Sequence, residues 1–261
     1  MKSVKDSFDL TGKVALITGG AGLLGVKHAE AIIEMGGVPV LVDIDTDRMS
    51  GLTGKGWELQ VCDIRNRQEV NGLATTVLNR YGRIDILINN AFKTAKQAPQ
   101  GYFLPFEDYP FGLWEMAINT NLTGTFLITQ AVGRQLLKQG KGVILNIASD
   151  VGVISPDHRI YEGMPFNTPL SYSMCKAAII HMTKYLATYW ADKGIRVNCL
   201  SPAGVYDGQP PEFVKRLSNL IPMGRMAQPD EYKAAVVFLV SDASSFMTGA
   251  NVIIDGGRTC W

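Results

Sequence analysis

The sequence predicts an α/β chain with a doubly wound parallel sheet of about seven strands and helices on both faces. Three observations predict it. Short apolar, β-branched runs recur along the chain, helix-length stretches fill most of the gaps between them, and a glycine-rich turn separates the first run from the first helix.

The runs are residues 13–18, 38–42, 58–61, 84–89, 143–148, 195–200 and 251–255. Each is short, and most are rich in Val and Ile, which suits strands buried on both faces. Between them, residues 24–35, 67–81, 114–139, 170–193 and 230–241 are long enough for helices. Regular strand–helix alternation implies parallel crossovers, hence one doubly wound sheet. No repeat, low-complexity tract or linker divides the 261 residues, so a single domain over 1–261 is expected. Three segments are irregular and are expected to form substrate loops: 92–111, 155–169 and 205–222.

Composition narrows the partners. With 46% hydrophobic and 19% charged residues the chain has ordinary globular usage, which argues against disorder. A net charge of +1 with both signs interspersed leaves no basic stripe for nucleic acid. No apolar run approaches the roughly 20 residues of a membrane span, and no export signal is recognised, so a cytoplasmic protein is expected. Cys62, Cys175, Cys199 and Cys260 are scattered without a paired spacing, as are His28, His158 and His181. Neither set has the pattern of a metal site, and none is expected.

After the first strand comes Thr18-Gly19-Gly20-Ala21-Gly22-Leu23-Leu24-Gly25, in which Gly20, Gly22 and Gly25 satisfy G-x-G-x-x-G. Glycines at such a turn let the backbone approach a pyrophosphate, and the following helix N-terminus offers it unpaired N–H groups. In this strand–turn–helix setting the motif is that of a dinucleotide-binding Rossmann fold. Asp43, at the end of the second strand, stands where an acid accepts hydrogen bonds from the adenosine ribose. A carboxylate there would repel a 2′-phosphate, so NAD is the expected cofactor, with Arg48 and Lys27 near enough to leave NADP as the alternative.

Tyr172 and Lys176 are four residues apart at the start of a helix and so share a face. They occur together with Asn89-Asn90-Ala91, Asn121-Leu122-Thr123-Gly124, Asn146-Ile147-Ala148-Ser149, Arg196-Val197-Asn198 and Asp255-Gly256-Gly257. In this order and over most of the chain, the motifs resemble the short-chain dehydrogenase/reductase family. The resemblance implies a catalytic set of Asn121, Ser149, Tyr172 and Lys176. It also implies cofactor contacts at Gly19, Gly20, Gly22, Leu23, Leu24, Gly25, Asp43, Asp63, Ile64, Asn90, Ala91, Tyr172, Lys176 and Val205, and a homo-oligomer, tetramer or dimer. By this analogy Ser149 polarises the substrate oxygen and Asn121 anchors a water beside Lys176. Chemistry fits the types: an adjacent ammonium favours phenolate, which brings a tyrosine toward the working range of a general base.

Three features depart from the common pattern: Leu23 within the glycine turn, Ala203 in Pro202-Ala203-Gly204, and a long interval between Ser149 and Tyr172. Tyr161-Glu162-Gly163-Met164 in that interval looks similar to oxidoreductases of bacterial surface-glycan and flagellin-sugar pathways. The expected function is therefore NAD(H)-dependent interconversion of a secondary alcohol and a carbonyl on a small molecule such as a sugar, sugar phosphate or nucleotide sugar. Lys93, Lys96, Asp150 and Arg159 are the candidate substrate contacts. Two alternatives remain open: a reductase of an apolar or steroid-like ketone, for which aromatic residues between 103 and 114 could line a pocket, and a cofactor-binding regulatory protein without turnover.

Overall fold

A computed structural model describes residues 3–92 and 99–261; Lys93 and Lys96 therefore lie outside the described residues. In chain order the elements are α1 (Val4–Ser7), β1 (Val14–Thr18), α2 (Leu23–Glu34), β2 (Val38–Asp43), α3 (Thr46–Ser50), β3 (Glu58–Val61), α4 (Arg67–Tyr81) and β4 (Ile86–Asn89). They continue as α5 (Phe111–Ile118), α6 (Gly124–Gln139), β5 (Gly142–Ile147), α7 (Leu170–Trp190), β6 (Ile195–Pro202), α8 (Pro211–Ser218), α9 (Lys233–Val240) and β7 (Asn251–Ile254).

All seven strands pair in parallel, in the order β3-β2-β1-β4-β5-β6-β7. Side chains alternate across the sheet, and each set finds its own helices. Leu16, Val40, Leu87 and Ile144 pack with Val77, Ile128 and Leu136 of α4 and α6 on one face. Ala15, Ile17, Leu41 and Ile88 pack with Ile32, Val236 and Leu239 of α2 and α9 on the other. β1, β4 and β5 are buried at every position, which is why they read as largely apolar runs.

Strand order reverses between β1 and its neighbour β4, where Thr18 lies in register with Asn89. The crevice beyond the carboxyl ends at such a reversal is where open α/β sheets bind ligands. Asn90 bridges it: its backbone N–H donates to Thr18 Oγ1 at 3.1 Å, and its side-chain amide donates to Thr18 O at 3.1 Å and Gly19 O at 3.0 Å. Several motif asparagines are scaffold. Asn89 donates to Asn146 Oδ1 and to Thr129, and Asn146 donates to Thr183, all between 2.8 and 2.9 Å inside the core.

The single helix expected over 114–139 is corrected: α5 and α6 are joined by a π-helical turn, Asn119–Thr123, with Asn121 in its middle. Such bulges change the register of a helix at one point and recur at functional sites. Ala203 needs no glycine, because no described non-glycine residue has a positive φ. Its N–H donates to Ile254 O and continues the β6–β7 ladder, while Val205 forms a parallel bridge with Ala227.

Candidate active site

A cavity of about 910 Å³ opens along the carboxyl edge of the sheet, running from β2 past the switch point to α8. At its first end, α2 begins with Gly22 as N-cap, no capping side chain and no acid in the first turn, so its N–H groups and positive dipole remain available to an anion. Gly19 has φ +62°, and an added Cβ would lie 2.7 Å from Ala91 Cα. At Gly25 an added Cβ would lie 2.2 Å from Gly19 O, and at Gly20 2.6 Å from the Leu41 side chain. Gly20 and Gly25 therefore do not line the cavity; they let the turn lie flat on β2 and on itself, while Gly19, Gly22, Leu23 and Leu24 form the wall.

Asp43 is pinned at the rim by backbone donors: Ala21 N–H at 3.0 Å, Ile44 N–H at 2.8 Å and Asp45 N–H at 3.1 Å. The neighbouring cations are already engaged. Arg48 pairs with Asp45 at 3.2 Å, Arg65 with Asp63 at 2.7 Å, and Lys27 with Glu30 and Asp230 at 3.0 and 3.2 Å. Asp63, Ile64, Asn90 and Ala91 line the same stretch.

The other end gathers Ser149, Asp150, Tyr172, Lys176 and Val205. The side chains of Tyr172 and Ser149 both line this end. Burial pushes the Tyr172 phenol up to about 12; the Ser149 contact opposes this, and the charge of Asp150 adds to it. Burial likewise pulls the Lys176 ammonium down to about 8, against smaller raising effects of Cys199 and Cys175. The expectation that Lys176 brings the phenol down is thus not met in this arrangement. Lys176 Nζ donates to Ile147 O at 2.8 Å and lies 5.8 Å from the Tyr172 ring centroid. The Phe92 ring stands closer, 4.4 Å from Nζ and 4.7 Å edge-on to Tyr172. Asn121 does not line the cavity. It is buried beneath, beside Cys175, the residue before Lys176.

Of the candidate substrate contacts, Asp150 lies in the cavity wall. Arg159 does not: its side chain is 87% exposed and pairs with Asp157 at 2.6 Å, two residues away. A local Asp-x-Arg pair closes on itself within the 3₁₀ turn His158–Tyr161 and turns the guanidinium to solvent. Of the aromatic residues between 103 and 114, none lines the cavity. Phe106 and Phe111 are exposed, and Tyr102, just before that segment, stands in the cavity wall. Sequence reasoning missed Phe92, Tyr102 and Arg258, which line the site from segments distant in the chain; no spacing pattern links them to Tyr172. Among the described residues, no group of three or more His, Cys, Asp or Glu is placed to hold a metal, and no helix is long and apolar enough to cross a membrane.

Against known proteins, the family model described as enoyl-(acyl carrier protein) reductase matches residues 21–259. The chain belongs to the short-chain dehydrogenase/reductase family. Members of this oxidoreductase family bind a nicotinamide dinucleotide, and the first end of the cavity has the cradle for one. A D-threitol dehydrogenase of Mycolicibacterium smegmatis is 35% identical over 98% of this chain and 96% of its own length. A short-chain dehydrogenase from Leptospira borgpetersenii, solved with bound NAD+, is 37% identical with a TM-score of 0.85, over 99% of this chain and 96% of that one. A gluconate 5-dehydrogenase from Burkholderia cenocepacia, solved with NADP and tartrate, is 30% identical with a TM-score of 0.85, over 99% of this chain and 100% of that one.

Proposed function

We propose that this chain interconverts a secondary alcohol and a carbonyl on a polyhydroxylated small molecule, using NAD(H). One observation carries the reading: the glycine turn before a helix N-terminus and the side chains of Ser149 and Tyr172 line one continuous cavity. When bound, the nicotinamide supplies or accepts the hydride. The chain's own part is acid–base and positional. Tyr172 exchanges a proton with the substrate oxygen, Ser149 holds that oxygen, Lys176 supplies a positive charge beside the phenol, and Asn121 secures the helix that carries both.

The substrate class is argued from the walls beyond Ser149. Asp150, Asn167, Asp207, Gln209 and Arg258 bring hydrogen-bonding groups there, which favours hydroxyl-bearing molecules and disfavours an apolar ketone. D-threitol dehydrogenation by a relative supports the same class. Phe166, Phe213, Leu217 and Met226 form an apolar wall, so a steroid-like ketone is the comparison compound. A screen of four- to six-carbon polyols and their ketoses, followed by absorbance of the reduced nicotinamide, tests the reading. Turnover of the apolar ketone with none of any polyol would overturn it.

For the cofactor, Asp43 would face a 2′-phosphate with its nearby cations already paired. NAD(H) is therefore expected to bind more tightly than NADP(H) in calorimetry, and Asp43→Asn to narrow that preference by about tenfold or more. Tighter NADP(H) binding by the unaltered chain refutes the assignment. The same proposal includes a cytoplasmic setting and a homotetramer or dimer, the latter checked by light scattering.

A further inference from the structure

Ser149 has a single hydroxyl proton, and the structure commits it. Its Oγ donates to Asp150 Oδ1 at 2.8 Å; the same oxygen accepts the Val151 N–H at 2.8 Å, and Oδ2 accepts Arg258 Nη1 at 2.6 Å. Asp150 is 2% exposed and Arg258 7%, and both line the cavity. A carboxylate paired with a guanidinium only accepts hydrogen bonds, so the direction of the Ser149–Asp150 bond is decided: the proton points at Asp150. The lone pairs of Oγ are left for Tyr172 and for whatever occupies the cavity.

We propose that Arg258, acting through Asp150, is a positioning residue that holds Ser149 as a hydrogen-bond acceptor and so favours binding of the alcohol form of the substrate over its carbonyl form. An alcohol bound while Tyr172 still carries its proton can give its own proton to Oγ, and passes it to the phenolate only at turnover. A carbonyl has none, and takes a hydrogen bond from Ser149 only if Oγ–H leaves a charged acceptor, one of the stronger bonds a hydroxyl makes. The arrangement depends on the cation: without Arg258 the buried Asp150 carboxylate loses its charged partner, and its hold on the Oγ–H weakens. This inference rests on the proposed alcohol–carbonyl chemistry.

The competing reading is a structural staple that ties the segment after β7 to the 3₁₀ turn Asp150–Gly152. The backbone around Arg258 is held without the guanidinium, because Asp255 accepts the N–H groups of Gly257 at 2.9 Å and Thr259 at 2.7 Å. Arg258→Met should therefore fold.

The test uses the full chain with NAD(H), D-threitol in the oxidising direction and erythrulose in the reducing one. Arg258→Met and Asp150→Asn are expected to lower the ratio of KM for erythrulose to KM for D-threitol by about tenfold, and Arg258→Lys to restore most of it. In a Ser149→Ala background Arg258→Met should no longer move the ratio, since the group it orients is gone. Equal changes in both KM values, or a shift that persists without Ser149, would overturn the proposal in favour of the staple. A second readout needs no turnover: the side-chain carboxyl ¹³C signal of Asp150, which Ser149→Ala must move if Oγ donates to it. No turnover of either probe with that signal responding rejects the polyol reading and leaves the hydrogen-bond relay standing. Turnover with an unmoved signal does the reverse.

Discussion

The two ends of the cavity are built by different means. At the β1–β2 end the elements are local and mostly backbone: a glycine turn, a helix N-terminus, and an aspartate that bonds to a backbone N–H 22 residues away. At the β5–α7 end the contacts are made by side chains that reach distant segments: Asp150 with Arg258, 108 residues apart, and Asn167 with Phe103 O, 64 apart. Backbone recognition is common to many dinucleotide proteins, whereas side chains assembled from separate loops can be exchanged one at a time. The first end is accordingly suited to a constant ligand and the second to a particular substrate.

The largest expected effect lies at the second end. Tyr172→Phe should lower kcat by about 10²–10⁴-fold while leaving NAD affinity nearly unchanged, measured by single-turnover rates and calorimetry. Turnover within about threefold of the unaltered chain would remove Tyr172 from the mechanism. Gly25→Ala should do the opposite. Its Cβ would meet Gly19 O at 2.2 Å, so the turn must shift, at a cost of about 1–3 kcal/mol, with NAD affinity down by about tenfold or more. If both variants lose affinity and rate in the same proportion, the division between the two ends is broken.

A smaller effect sharpens the comparison through pH. Burial lowers Lys176 from 10.5 to about 8, so between those values the unfolded chain binds a proton that the folded chain does not. Stability must then rise with pH through that window, and below about 8 the cost of the buried ammonium, up to about 3 kcal/mol, is present in full. Tyr172 acts in the adjoining window: with its folded value raised from 10.0 to about 12, the folded chain holds the extra proton and stability falls as pH rises. Lys176→Met should therefore unfold at a higher temperature than the unaltered chain at pH 7 and lose the rise above pH 8. A rise of the same size in both proteins would show that another group causes it. The smallest effect belongs to Arg159→Ala, expected to leave kcat/KM within about twofold, because an exposed pair with Asp157 contributes little. A tenfold loss would return Arg159 to the substrate site.

The sequence by itself determined the sheet and the first end of the cavity. Buried parallel strands must be apolar throughout, a pyrophosphate turn must be glycine, and Asp43 follows at a readable distance. All three are local rules, written in residues close together in the chain. The Tyr172–Lys176 pair was legible for the same reason, because one helical turn sets its geometry. The tertiary structure alone decided the rest: that burial, rather than Lys176, dominates the Tyr172 phenol; that Arg159 turns outward to its own neighbour; and that Arg258 reaches Asp150 behind Ser149. Each is a competition between burial and a specific partner. The winner depends on which distant segments the packed sheet brings within about 3 Å, a distance that no spacing along the chain encodes.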